Sequence, residues 1–180
     1  MGKTYAEISD ALAAWMQAQR VYFVATAPSG DGGHVNCSPK GGDSFRVLGP
    51  TTVAYVDQTG SGVETIAHLR QNGRIVVMFC AFGGGPKIVR VHGRGQVVRQ
   101  GDDGFAELLA RFGARELGVR SIIRVEATRI SDSCGYGVPL MAFERERGTM
   151  EKWADKKGPE GVAQYWRDKN AESLDGLPGV

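Results

Sequence analysis

The chain has 180 residues, 42% of them hydrophobic and 23% charged, with 22 basic against 20 acidic side chains and a net charge of +2. A chain of this length suits one domain that buries about 70% of its unfolded surface, and the near balance of charge argues against a dedicated nucleic-acid binder, which would show a basic stripe. No apolar run approaches the roughly 20 residues that span a bilayer, Met1–Glu7 lacks the apolar core of a signal peptide, and Cys37, Cys80 and Cys134 form no CxxC pair, so the expectation is a cytoplasmic protein with no membrane span and no metal site.

Taken in chain order, Tyr5 to Gln19 reads as an amphipathic helix, with Ile8, Leu12, Trp15 and Met16 at helical spacing. Val21–Thr26 is a strand closed by the turn Pro28–Gly33. His34 to Cys37 begins a second strand, which Ser38-Pro39-Lys40-Gly41 is expected to break because proline removes a backbone donor. Phe45–Leu48 is a short strand and Thr52–Asp57 a better one. Ser61 with Glu64 three residues later fits a capping box that opens a helix ending at Asn72-Gly73.

Arg74 to Phe82 is a strongly apolar strand, Gly83–Pro86 a turn, and Lys87 to Arg99 a long strand with Ile88, Arg90, His92, Arg94 and Gln96 on one face. Gly93 and Gly95 mark a bulge or close backbone contact. Asp102-Asp103 can cap a helix over Gly104–Phe112, and Ser121 to Ser131 is a further strand. Past Phe143 the chain is charged and helical: Thr149–Lys157 forms one helix, and Pro159 opens another that runs to about Asn170. With 26 glycines, about six strands and no βαβ alternation, the pattern predicts a mainly β (α+β) domain. Its architecture would be a small antiparallel barrel over residues 1–143, with a helical extension over 144–180 packed on it.

Three segments could carry chemistry. Thr59-Gly60-Ser61-Gly62 precedes a helix whose first N–H groups are unsatisfied, and hydroxyls and glycines there could receive a phosphate; a plain capping box accounts for the same residues. It lacks the Gly-Lys-Ser/Thr ending of a nucleotide-triphosphate loop. In Ser38-Pro39-Lys40-Gly41, Lys40 could meet a phosphate or a reduced ring, or be an exposed turn lysine. In Cys134-Gly135-Tyr136-Gly137 the tyrosine could pack on a planar ring or cover a core edge. His34, His68 and His92 show no metal spacing, and His68 is expected to face solvent. Cys37 and Cys80 read as small core residues. No Ser-His-Asp set emerges.

Together these runs resemble a family. Val21–Thr26, Val35–Gly41, Ala54–Asp57 with Thr59–Gly62 and Glu64-Thr65, Ser133–Leu140, and the ending Lys169-Asn170 with Ser173–Gly179 are similar to the pyridoxamine 5′-phosphate oxidase-like FMN-binding split-barrel proteins. The resemblance implies a six-stranded split β-barrel and a homodimer with FMN at the subunit interface, acting on a small-molecule substrate. It implies that Asn36, Cys37, Ser38, Pro39, Lys40 and Gly41 line the flavin. Asp57, Thr59, Gly60, Ser61 and Gly62 would hold the phosphate side with help from Arg70. Cys134, Gly135 and Tyr136 would approach the ring from the partner subunit. The activity implied is that of an FMN-dependent oxidoreductase with no catalytic side chain assigned; the alternatives are a non-catalytic flavin-sequestering protein, or a split barrel for F420 or haem. Two departures stand out: Gly62-Val63 replaces the Arg-Lys pair of the oxidases themselves, and their C-terminal Arg-containing substrate segment has no counterpart here.

Overall fold

A computed structural model describes residues 2–180. The elements run β1 (Thr4–Tyr5), α1 (Asp10–Gln17), β2 (Val21–Thr26), β3 (Asn36–Gly41), β4 (Phe45–Val47), β5 (Thr52–Gln58), α2 (Glu64–Asn72), β6 (Arg74–Cys80), β7 (Ile88–Arg99), α3 (Phe105–Ala110), β8 (Val119–Ser133) and α4 (Thr149–Lys169). All strands join one sheet in the order β3-β2-β6-β7-β8-β5-β4, with β1 beside the far end of β8. Every pairing is antiparallel.

Side-chain alternation divides the sheet into two faces. Inside the curl, Tyr22, Val24, Tyr55, Val77, Phe79, Val91, Ile123 and Val125 pack with Leu12 and Met16 of α1 and Ile66 and Leu69 of α2. Tyr22, Phe45, Tyr55 and Phe79 form a ring-to-ring cluster at one end of this core. On the outside, Ala54, Val56, Val98 and Ile122 are covered by Phe105, Leu109 and Phe112. So α3 and its flanks cover the outer face over β5 and the start of β8. Among the described residues, none gives the outer face over β2, β6 and the first half of β7 such a cover.

The fold is the mainly antiparallel split barrel expected, with eight strands among the described residues rather than six. Part of the increase is at the N-terminus. The sequence pattern puts Tyr5 in a helix, but it lies in β1, where it pairs with Ile130 and its hydroxyl donates to the Asp132 carboxylate. The helix begins only after Ser9, whose hydroxyl accepts from Leu12 N–H. Pro39 does not break its strand. β3 is an edge strand, and there a missing donor costs no ladder bond, so β3 pairs with β2 from Asn36 to Gly41. The bulge in β7·β8 falls at His92/Gly93, and a Cβ on Gly93 would lie 2.2 Å from the Glu126 carbonyl oxygen. Gly158, with φ 66° and ψ 171°, interrupts α4 just before Pro159, where the sequence places the junction of two helices.

Candidate functional site

The sequence-predicted segments after β2 and β5 meet at one end of the barrel, and a buried carboxylate ties them together. Asp57 is fully buried near the end of β5. Its Oδ1 accepts from Lys40 Nζ of β3 at 3.1 Å, and its Oδ2 accepts from Arg120 Nε of β8 at 3.0 Å. Burial alone would raise the Asp57 pKa; the Lys40 ammonium and Arg120 guanidinium outweigh it and hold the pKa below the ordinary value. Lys40 is thereby fixed on one donor with two to spare, its ammonium 5.9 Å from the Tyr55 ring centroid.

Arg120 extends the link to the turn before α2. Its Nη1 donates to Gly62 O at 2.8 Å and to Asn170 Oδ1 at 2.9 Å, and the Asn170 amide donates to Gly60 O at 3.0 Å. A trans peptide points its carbonyl and the following N–H in opposite directions. With the carbonyls of Gly60 and Gly62 drawn inward, the N–H groups of Ser61 and Val63 turn away from Arg120 and Asn170. None of the N–H groups of residues 60 to 62 has an acceptor among the described residues. Ser61 and Gly62 are exposed, so unpaired amides at the start of a helix are open to an anion.

The capping box does not form. The helix starts at Glu64 with Val63 as its cap and no side-chain cap bond, and Glu64 Oε1 instead accepts from Leu174 N at 3.2 Å. The Thr59 hydroxyl is committed to the fold: it donates to Gly118 O at 2.9 Å and accepts from Trp166 Nε1 at 2.8 Å. Arg70 is exposed, and its guanidinium donates to Gly179 O of the C-terminal tail. The tail therefore packs on the turn and on both ends of α2.

Within β3, alternation separates the six predicted residues. Asn36, Ser38 and Lys40 point inward, opposite the buried Thr26, Val24 and Tyr22 of β2; Cys37, Pro39 and Gly41 point outward. All six could meet one ligand only through backbone as well as side chains. Asn36 Nδ2 donates to Thr26 Oγ1 at 3.2 Å and to Thr65 Oγ1 at 3.0 Å, and Ser38 Oγ donates to Asn36 Oδ1 at 3.1 Å. Thr26 Oγ1 also lies 2.9 Å from His68 Nδ1, within hydrogen-bond reach. His68 Nε2 is buried without a hydrogen-bond partner. It is fully buried rather than solvent-facing, and burial lowers its pKa. It sits on the core side of α2, between helix and sheet. Cys37 is exposed rather than a core residue, while Cys80 is buried.

Cys134, Gly135 and Tyr136 do not join this group within one chain. They follow β8, whose other end holds Ser121, with its hydroxyl 3.4 Å from Asp57 Oδ2. At about 3.3 Å per residue, the path from Ser121 to Cys134 is roughly 40 Å. Tyr136 is 83% exposed, and the segment after it exposes Leu140, Met141 and Phe143. Arg120, Asn170 and Trp166 are the residues that sequence reading missed. Arg120 immediately precedes the strand predicted from Ser121, and a charged residue flush with an apolar strand was the available signal.

The family model described as pyridoxamine 5′-phosphate oxidase matches residues 8–134. The chain belongs to this family. A pyridoxamine 5′-phosphate oxidase family protein of Aspergillus flavus, ustO, is 41% identical over 192 residues, covering 98% of this chain and 77% of that protein. Solved structures share the fold at lower identity. HupZ of Group A Streptococcus superposes with a TM-score of 0.55 at 21% identity, over 68% of this chain and 91% of its own. A protein of Lactobacillus delbrueckii provisionally assigned as a pyridoxamine 5′-phosphate oxidase gives 0.54 at 18%, over 71% and 98%. HutZ of Vibrio cholerae, described as a haem storage protein, gives 0.51 at 14%, over 72% and 97%. Among the described residues no helix is long and apolar enough to cross a membrane, and no His/Cys/Asp/Glu group could hold a metal ion.

Proposed function

We propose that this protein is an FMN-dependent oxidoreductase of the family, working as a homodimer on a small-molecule substrate. The observation that carries the reading is the turn at residues 60–63: Arg120 and Asn170 hold its carbonyls, leaving amides unpaired, and Arg120 shares the Asp57 carboxylate with Lys40. The phosphate would sit on those amides, with Ser61 as the one free hydroxyl. This arrangement stands in for the Arg-Lys pair that Gly62 and Val63 replace. The flavin ring would lie along β3 within reach of Lys40. The cofactor supplies the electron chemistry; Lys40 supplies positive charge where the reduced ring is anionic. The separation along β8 supports the dimer, since Cys134–Tyr136 can reach a flavin at the Asp57 end only from a second copy. Exposed Leu140, Met141 and Phe143 are the apolar surface such a copy would cover.

Lys40→Met tests the assignment. A charge-assisted contact is worth roughly 1.5–3 kcal/mol, or about 30–60 mV for a two-electron couple. The bound flavin should therefore become harder to reduce by that amount, measured by dye-coupled potentiometry. An unchanged potential with flavin still bound would remove Lys40 from the ring. Retained flavin with no turnover by any reductant would favour a flavin-sequestering protein instead.

A further inference from the structure

The segment after α4, residues 171–180, has a shape of its own that the reading above does not use. Glu172 bridges to Pro178, Ser173 N–H donates to Leu177 O at 2.9 Å, and the Ser173 hydroxyl accepts from Leu177 N–H at 3.1 Å. Gly176 turns the loop with φ 71°. Of these ten residues Ser173 and Gly179 are buried, and neither brings a large side chain; Leu174 is 70% exposed. The segment therefore sits on the barrel through polar contacts rather than apolar burial, and segments held in that way open locally at low cost.

Its contacts fall on the two places that bracket the candidate site. On one side Gly179 fits between Asn170 and Val63: a Cβ there would lie 2.1 Å from Asn170 O and 2.8 Å from Val63 Cγ1. Leu174 N–H donates to Glu64 at the start of α2, and Gly179 O accepts from Arg70. On the other side Asp175 reaches the loop that leads into β3. Its Oδ1 accepts from His34 Nδ1 at 2.7 Å and its Oδ2 from His34 N–H at 2.8 Å. The imidazole first, and then the main-chain N–H, hold the Asp175 carboxyl below its ordinary pKa. Gly33, at φ 116°, permits the approach, since a Cβ there would lie 3.0 Å from Asp175 Oδ2. The first half of that loop is tied to the end of α2, Ser29 N–H donating to Gln71 and Asn72 to Ala27 O. Residues 30–34 have Asp175 as their one hydrogen-bond partner among the described residues. Every one of these contacts is made within one chain.

We propose that residues 171–180 are a strap that gates the candidate site, with Asp175 on Gly33–His34 as its latch. Closed, the strap ties the approach to β3 to the turn at 60–63 and the start of α2, the segments that the flavin reading gives to ring and phosphate. Opening frees those segments from one another and clears the way to the turn; closing over a bound anion holds it in. The latch suits this use because both of its bonds end on one carboxylate, so they form and break together. The identity of the gated ligand rests on the flavin reading; the gating rests on the strap's own contacts.

Asp175→Asn and Gly33→Ala loosen the latch by separate routes, one removing the charge and the other crowding the carboxylate. Stopped-flow quenching of FMN fluorescence on the full chain gives the association and dissociation rates. Loss of a hydrogen bond to a charged group is enough to raise the open population roughly tenfold, so both rates should rise by about that factor in each variant while their ratio changes far less. Hydrogen–deuterium exchange read by mass spectrometry should be faster at residues 30–34 and 171–180 in both variants, slower there when FMN is bound, and unchanged in β6 and β7. Faster dissociation alone, with exchange raised across the barrel, would make the segment merely structural and overturn the proposal. Unchanged rates with FMN still bound would also overturn it and would leave the flavin reading in place. If the wild-type protein takes up no FMN, the flavin reading fails and inorganic phosphate becomes the probe: slower exchange at 171–180 with phosphate would keep the strap, and unchanged exchange would overturn it.

Discussion

Asp57 carries a charge where no water reaches it, and it does so because two cations from different strands converge on its two oxygens. A buried charge stripped of its partners is strongly unfavourable, so the group behaves as one unit. Asp57→Asn leaves Arg120, which is only 4% exposed, without a counter-charge, and should cost about 3–5 kcal/mol in urea denaturation. The same pairing sets the acid limit of the fold. The native carboxyl titrates below its unfolded value of about 3.9, so its contribution is fully present above that pH and is lost as pH falls through the lower native pKa. Stability measured against pH should fall in that window in the native protein. In Asp57→Asn the component due to this residue should be absent. His68 shows why single residues mislead from sequence: its position on α2 reads as helix surface, yet it is buried with Nδ1 against the Thr26 hydroxyl.

At the scale of elements, the turn into α2 is shaped by parts of the chain remote in sequence. Ser61 and Glu64 have the spacing of a capping box, but Trp166 of α4 and Asn170 at its C-cap compete for the neighbouring groups, and the tail takes Glu64. This division of labour makes the two hydroxyls of the turn distinguishable. Thr59→Val removes a buried hydroxyl with two partners and should destabilise the protein by about 1–3 kcal/mol. Ser61→Ala should change stability by less than about 0.5 kcal/mol and act on cofactor affinity alone. Thermal melts with and without FMN separate the two; a large loss of stability from Ser61→Ala would restore the capping role. The strands were legible because alternation and apolar runs report burial locally. The edge position that lets Pro39 stay in β3, and the two-residue β1, depend on neighbours that no local pattern reveals.

Across the whole molecule, the barrel and the place where its segments converge were readable from sequence. The polar groups that shape the site were not. Arg120, Asn170 and Trp166 act through partners about 50 to 110 positions away, a relation with no signature in spacing. The separation of Cys134–Tyr136 from the Asp57 end is likewise a property of the complete β8, and it turns the proposed flavin site into a question about two subunits. The central claim is a flavin held by unpaired amides at the turn and completed by a second copy. Fluorescence titration of the purified protein with FMN, with the mass followed by light scattering, tests it most directly. The account predicts saturable quenching at one FMN per chain in a species of twice the chain mass. No quenching, or saturation in a monomer, would contradict it.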